Sequence, residues 1–160
     1  MSSWQRVNRR DRAACVLADR HYSRQVVGAP QVGGNARLLI LLKVPEGDAL
    51  WITAFDRYPK HAWPGTWNNT IFRNESRALS SDLIREAVAV TRWVWPVTPP
   101  NGIITFIDRE KVRRKRDFGR CYRRAGWHEL GETKGGLLVL GLAPSEMPAP
   151  LPPVGELVFA

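Results

Sequence analysis

The chain has 160 residues, of which 44% are hydrophobic, so the composition predicts one globular domain and excludes a disordered protein. Its formal net charge of +9 predicts an acidic partner, with nucleic acid first and an anionic membrane surface second. No apolar run has the length of a membrane span and no signal-peptide pattern opens the chain, which favours a cytoplasmic protein that spans no membrane.

The first half of the chain predicts one helix followed by strands. Asp11 can cap a helix that runs to about Arg20, since apolar residues recur on one face of that stretch. Two apolar runs, 36–44 and 49–55, flank the turn signal of 45–48 and predict a β-hairpin. An aromatic loop over 56–69 precedes a short strand at 70–72.

The second half predicts a helix, a buried strand, a short helix and a final β pair. These elements are expected at 82–94, 102–107, 118–125, and 128–130 with 136–142. The order of elements predicts an α/β fold: one domain over 1–142 with a mixed central sheet flanked by helices. The tail, 143–160, holds five prolines and is expected to be extended on the surface or partly disordered.

The two cysteines, Cys15 and Cys121, lie far apart and share no metal-binding spacing. Buried packing is the expectation for both, in a reducing compartment, and a reactive thiol at Cys121 is the alternative.

The densest functional signal is the segment 104–133. An apolar strand ends there on Asp108, and nine of the sixteen residues from 109 to 124 are Lys or Arg. A carboxylate at the carboxyl end of a strand lies where α/β sheets bind ligands, and it can orient an attacking amine. The alternative for Asp108 is an ion pair with neighbouring arginines.

The basic residues of this segment predict contacts with DNA phosphates, a solvated loop being the alternative. The predicted phosphate-binding residues are Arg24, Arg113, Arg114, Lys115, Arg116 and Arg120.

A second group of candidates follows the first helix. His21, Tyr22 and Ser23 are expected to line a pocket, with His21 and Tyr22 as acid or base groups. Termination of the helix by His21 and Tyr22 is the alternative.

The stretch FGRCYRRAGWHELGE, with the elements before it, resembles the C-terminal half of the GNAT-type N-acetyltransferase fold. The resemblance implies that Tyr122, four residues before Gly126, protonates the leaving group or hydrogen-bonds an oxyanion; a buried core tyrosine is the alternative. The turn expected to cradle coenzyme A, 74–81, contains no glycine, so an ordinary acetyl-CoA site is not expected.

A narrower resemblance is to the Mom family of phage DNA-modification proteins. It is carried by His21–Arg24, Ser80-Ser81, Asp108 and the pattern over 119–127. The family places a carbamoylmethyl group on N6 of adenine in phage DNA. The resemblance therefore implies a DNA-modifying transferase that acts in the bacterial host cell and protects phage DNA from restriction.

The resemblance also implies partners and cofactors. The partners are double-stranded DNA and a group donor, either a small molecule or an aminoacyl-tRNA, and a homodimer is left open. Iron is linked to the family, and His21 with Asp108 would be its ligands.

Two further groups complete the predicted site. Ser80, Ser81, Arg77 and Glu75 are expected to bind the donor, while helix capping is the alternative for the serines. Trp63 and Trp67 are expected to stack on a flipped base or to fill its gap, while closure of one end of the sheet is the alternative.

Two other functions remain open from the sequence. One is a conventional acetyl-CoA-dependent N-acetyltransferase with another amine substrate. The other is a non-catalytic nucleic-acid-binding module.

Overall fold

The computed structural model describes residues 2–33, 36–111 and 119–156. Within these ranges a single seven-stranded sheet has the order β1-β2-β3-β4-β5-β7-β6. The strands and helices are β1 (Trp4–Val7), α1 (Arg12–Asp19), β2 (Arg37–Lys43), β3 (Ala49–Phe55), β4 (Trp67–Asn74), α2 (Ser80–Val94), β5 (Ile103–Ile107), α3 (Arg120–Arg124), β6 (His128–Glu132) and β7 (Leu138–Leu142), followed by a 3₁₀ turn at Pro144–Glu146. The predicted α/β fold with a mixed sheet is confirmed.

The sheet opens between its fourth and fifth strands. β4 and β5 are parallel, and their pairing covers the three residues from Trp67↔Ile103 to Asn69↔Thr105. Every other neighbouring pair in the sheet is antiparallel. Because β4 runs on to Asn74 beyond this pairing, the two strands diverge and leave a cleft between them.

A β-bulge lies beside this cleft. The register between β3 and β4 shifts between Ile52 and Thr53, so that Ile52 pairs with Ile71 whereas Thr53 pairs with Asn69. Thr70 is the extra residue of the bulge, which bends the strand locally.

Each face of the sheet is covered by helices. Alternate residues of β2 point to opposite faces, with Leu39 and Leu41 in one apolar cluster and Ile40 and Leu42 in another. The first cluster packs against α2 and α3, and the second packs against α1. Burial on both faces explains why β3 is apolar at every position except Thr53.

Two strand predictions need correction. β1 was not predicted, because two of its four residues are exposed and polar and its sequence carries no periodic signal. β4 begins at Trp67 rather than at 70, since Asn68 and Asn69 disfavour a strand by propensity but are held in the sheet by tertiary contacts.

The helix starts give a mixed result. Asp11 caps α1, accepting the Ala14 N–H at 3.0 Å, as predicted. Capping of α2 by Ser80 or Ser81 is wrong, because Leu79 occupies the N-cap position and makes no side-chain bond. The helix predicted at 118–125 is the shorter α3, and Phe118 lies outside the described residues.

The described part of the tail is anchored to the domain. The Leu151 N–H donates to the Ala89 carbonyl at 3.1 Å, and the Val154 N–H donates to the Trp4 carbonyl at 2.8 Å. Met147 is buried in the core cluster. The segment is extended, as expected, but it packs along α2 and β1.

Candidate active site

A cavity of about 890 Å³ occupies the cleft between β4 and β5. Its walls come from the segment after α1, both diverging strands, the start of α2 and the start of α3. The lining residues are 20–22, 70, 72–74, 79–81, 105–107, 111, 119–122 and 124. The cavity therefore lies beside Tyr122, the candidate catalytic residue of α3.

Tyr122 lines this cavity from α3 and is buried. Its hydroxyl donates to Oδ1 of Asn69 in a short hydrogen bond. The rings of Phe72 and Trp127 pack against it with centroid distances of 6.2 and 4.9 Å. Burial raises the pKa of Tyr122 well above its usual range, so the phenol is protonated at neutral pH.

His21 lines the same cavity and stacks on Tyr22 with a centroid distance of 4.5 Å. Its Nδ1 accepts the Ser23 N–H at 3.1 Å, so the neutral ring carries its proton on Nε2. Burial, assisted by the Arg73 charge, lowers the pKa of His21 to about 4. At neutral pH the ring is therefore uncharged.

Tyr22 and Ser23 occupy different positions. Tyr22 lines the cavity, its hydroxyl lies 3.5 Å from the Phe106 carbonyl oxygen, and burial raises its pKa. Ser23 is exposed, and its Oγ lies 2.7 Å from Nδ1 of His21. Ser23 is not a lining residue, and it contacts the site through His21 and through the Thr70 carbonyl, to which its hydroxyl donates at 3.5 Å.

Asp108 lies outside the cavity lining. Its Oδ1 accepts the N–H groups of Glu110 at 3.1 Å and Lys111 at 3.4 Å, which makes it the acceptor of the turn after β5. The neighbouring Arg109 pairs with Glu132 instead. The catalytic role of Asp108 stays a prediction that this geometry does not support.

The residues predicted to bind iron do not form a matching set. The described ranges contain no group of three or more His, Cys, Asp or Glu side chains that could hold a metal ion. His21 lines the cavity and Asp108 does not, and Nδ1 of His21 is engaged by Ser23. Iron binding by His21 and Asp108 stays a prediction that this geometry does not support.

The predicted donor-binding residues separate into two pairs. Ser80 and Ser81 line the cavity at the start of α2, whereas Arg77 and Glu75 do not. Glu75 receives hydrogen bonds at 2.6 Å from both Arg20 and Arg73, and the bond from Arg73 is the main cause of its lowered pKa. Glu75 thus holds two cavity arginines in place.

The turn before α2 is organised by Asn74. Its Nδ2 donates to the Ala78 carbonyl and to Ser80 Oγ, and its Oδ1 accepts the N–H and the hydroxyl of Ser76. No described non-glycine residue has a positive φ, and the turn contains no glycine. It therefore lacks the left-handed residues from which an anion-binding nest of backbone N–H groups is made.

The described part of the cavity lining is cationic and contains no Asp or Glu. The cations are Arg20, Arg73, Lys111, Arg120 and Arg124. In the part of the chain that the structure describes, no carboxylate pairs with the last three. Of the predicted phosphate contacts, Arg120 is thus at the cavity, while Arg113, Arg114, Lys115 and Arg116 lie outside the described residues.

Arg24 does not act as a surface phosphate contact. Its side chain is 7% exposed and binds Asp19 at 3.1 Å. It also donates to the carbonyls of Gln31 and Ala29, both at 3.0 Å. These contacts join the loop after α1 to the last residue of that helix, so the structure corrects the prediction: Arg24 stabilises this loop.

The two tryptophans differ in exposure. Trp67 is 2% exposed and packs against Trp95, so the prediction that it stacks on a base is corrected: it belongs to the core. Trp63 is partly exposed and lies 6.1 Å from the Phe106 ring, which itself lines the cavity. Trp63 covers β5 here, and base stacking by it stays a prediction.

Sequence reasoning missed several residues of the site. Asn69 and Thr105 lie under Tyr122. Arg73 and Lys111 are charged residues that line the cavity. The signal for Thr105 was available, because it is a polar residue between two apolar residues of a predicted strand, a position that needs hydrogen-bond partners. Asn69 carries no such signal, because Asn68 and Thr70 beside it are also polar.

Comparisons with protein-family models, with curated proteins and with solved structures each found no match. Among the described residues, no helix combines the length and the apolar character that crossing a bilayer requires.

Proposed function

We propose that this chain is a transferase that adds a small acyl or carbamoylmethyl-type group to the N6 amine of adenine in DNA, as members of the Mom family do. The observation that carries the proposal is the cavity between β4 and β5. It combines a buried, protonated phenol with a cationic lining in which no described residue is a carboxylate. Such a lining favours an anionic substrate, and the phenol is suited to a departing group.

The proposal includes a GNAT-like fold. α3 follows the fifth strand and carries Tyr122, as the resemblance implies. The sheet opens beside that helix, where a donor and an amine would meet. The observed α/β topology is compatible with a GNAT-like fold. The proposal is that the fold belongs to this narrower class.

The donor would be bound without an ordinary coenzyme A cradle. The turn before α2 has no glycine and is held by Asn74, so its backbone N–H groups do not form the usual phosphate nest. Ser80, Ser81 and Arg73 are the polar groups available to a donor at that end of the cavity.

In the proposed reaction, adenine N6 attacks the electrophilic carbon of the donor and forms a new C–N bond. The bond from that carbon to the leaving group breaks, and the leaving group departs with the electron pair. Tyr122, which is protonated at neutral pH and lines the cavity, supplies a proton to it. The proton lost from N6 passes to solvent.

His21 would orient the base rather than deprotonate it. A pKa of about 4 makes the ring a weak base, and Nδ1 already accepts the Ser23 N–H. Its Nε2–H is a donor suited to an acceptor nitrogen of the purine. Asp108 serves no step in this scheme because its carboxylate caps a turn.

DNA would bind through the cations at the cavity. Lys111, Arg120 and Arg124 are lining residues that can contact phosphates beside the opening. An adenine inside a duplex must leave the base stack to reach a cavity of this kind.

The test is mass spectrometry of nucleosides from DNA of cells that express the protein. We expect an adenosine adduct with the wild type and a loss of at least about 100-fold with Tyr122→Phe. Tyr58→Phe is the matched control, because Tyr58 is 80% exposed and does not line the cavity. Unmodified adenosine from cells that contain folded protein would overturn the proposal; retained DNA binding would then favour the non-catalytic module.

A further inference from the structure

We propose that Asn69 is a positioning residue for the transfer step, and that it acts by holding the Tyr122 hydroxyl as a hydrogen-bond donor at the base of the cavity. The inference rests on the proposed function for the step that it serves. The hydrogen bond between Tyr122 and Asn69 does not depend on the proposed function and can be tested without an activity assay.

The amide of Asn69 has only one possible orientation. Asn69 is 2% exposed, and its Nδ2 donates to the carbonyls of Ile52 and Ile71, both at 3.0 Å. Turning the amide over would place Oδ1 against two carbonyl oxygens, which only accept hydrogen bonds. Oδ1 must therefore face Tyr122 and can only accept its proton.

The bulge explains why an amide is needed at this position. The register between β3 and β4 changes between the two pairs Ile52↔Ile71 and Thr53↔Asn69. The bulge disrupts the ladder locally, and the Asn69 side chain supplies hydrogen bonds to carbonyls on both sides of it. An apolar residue would fit the strand but would leave these carbonyls and the phenol without partners.

The groups around Tyr122 favour its neutral form. Burial is the largest cause of its raised pKa, the negative charges that Cys121 of α3 and Tyr22 can carry raise it further, and the Thr105 hydroxyl of β5 lowers it when its hydrogen turns to the phenol oxygen. Thr105 also donates to the Asn69 carbonyl at 2.9 Å. A fixed acceptor at Oδ1 stabilises the protonated phenol and repels a phenolate.

Asn69 would thus fix the position from which Tyr122 releases its proton, and the loss of this position in Asn69→Ala outweighs the easier release of the proton. During transfer the hydroxyl turns its hydrogen from Oδ1 of Asn69 to the leaving group, the proton moves from the phenol oxygen to that group, and solvent returns a proton afterwards. The phenolate formed in between faces Oδ1 of Asn69, while the Thr105 hydroxyl is near enough to donate to it. Asn69 touches no substrate in this scheme and acts only through Tyr122.

The first test compares Asn69→Ala, Tyr122→Phe and the double variant in adenine modification of DNA. We expect Tyr122→Phe to lose at least about 100-fold and Asn69→Ala about 10-fold. The double variant should be no slower than Tyr122→Phe alone. Asn69 acts only through the Tyr122 hydroxyl, and Tyr122→Phe already removes that hydroxyl. Losses that multiply in the double variant would overturn the proposal.

The second test needs no activity and uses the ultraviolet absorbance of phenolate as the pH is raised. The transition that is missing in Tyr122→Phe belongs to Tyr122, and circular dichroism confirms that the protein is folded over the range used. Asn69→Ala removes the acceptor and should lower the pKa of Tyr122. Asn69→Asp keeps an acceptor and adds a negative charge, so it should raise the pKa.

Both variants lose the two Nδ2 hydrogen bonds, so a purely structural role would move the pKa of Tyr122 in the same direction in each. Shifts in the same direction would therefore overturn the positioning role. Opposite shifts in a protein that leaves adenosine unmodified would support the role of Asn69 and contradict the proposed function, so the two failures are distinguishable.

Discussion

His21 shows how one residue links the site to the stability of the fold. Its ring is stacked on Tyr22, accepts the Ser23 N–H and lines the cavity. The folded protein favours the neutral ring, since burial lowers the pKa of His21 to about 4. The unfolded chain has no such preference and takes up the proton near pH 6.5.

We expect the free energy of unfolding to fall as the pH drops from about 6.5 towards about 4. In this window the unfolded state binds a proton at residue 21 and the folded state does not. The contribution of His21 is complete above the window and is lost within it, by about 1–2 kcal/mol after allowance for its partial exposure. Chemical denaturation at a series of pH values measures the loss.

His21→Gln should flatten the upper part of this dependence, between about pH 6.5 and 5, where carboxylates contribute little. His128→Gln is the matched control, because His128 is exposed and pairs with Glu146 outside the cavity. A His21→Gln variant that keeps the wild-type slope would contradict the assignment.

At the scale of elements, the position of α3 depends on Gly119. α3 has five residues, so its placement comes from the contacts at its ends more than from its own stability. Gly119 has φ +74°, and a Cβ there would lie 2.4 Å from Leu140 Cδ1 and 2.8 Å from Ile107 Cδ1. Only glycine allows both this backbone and this close approach.

Gly119→Ala should lower the free energy of unfolding by about 2–4 kcal/mol, because left-handed strain and overpacking against two core residues add together. It should also reduce adenine modification, since α3 carries Tyr122. Gly136→Ala is the control: φ there is +86° and a Cβ would meet nothing within 4 Å. It should cost only about 1 kcal/mol.

Urea denaturation compares the two variants under the same conditions. An equal loss in both would mean that the contacts of Gly119 with β5 and β7 contribute nothing to the placement of α3.

At the scale of the whole molecule, the cations that give the net charge of +9 differ in whether they are already paired within the fold. Arg24 pairs with Asp19, and Glu75 pairs with Arg20 and Arg73. Lys111, Arg120 and Arg124 line the cavity without carboxylate partners in the described ranges. Position in the fold, rather than net charge, therefore decides which cations can meet a polyanion.

Arg120→Gln should weaken binding to duplex DNA and reduce the slope of log affinity against log salt by about 1, the value for one phosphate contact. Arg24→Gln should leave the slope unchanged and instead destabilise the fold by about 1–3 kcal/mol, since it removes the ion pair with Asp19 and the donors that bind two carbonyls. Fluorescence anisotropy with a labelled duplex over a salt series measures both slopes. An unchanged slope in Arg120→Gln would show that this arginine contacts no phosphate.

Features with a local cause could be predicted from the sequence. The Asp11 cap, the hairpin at 45–48 and the apolar face of α2 are each specified by residues within one or two turns of each other. The mixed α/β sheet followed from the order of these elements. Tyr122, His21 and Tyr22 were identified as candidates, and all three line one cavity.

Other features were decided by tertiary structure alone. β1 and the first part of β4 form because distant strands pair with them, and Arg24 and Trp67 are buried by partners that composition does not reveal. Asn69 meets Tyr122 across 53 positions of sequence, and it does so because a bulge turns its amide inward. Local periodicity determines which residues form a helix or a strand, whereas the divergence of two parallel strands determines which of them share a site.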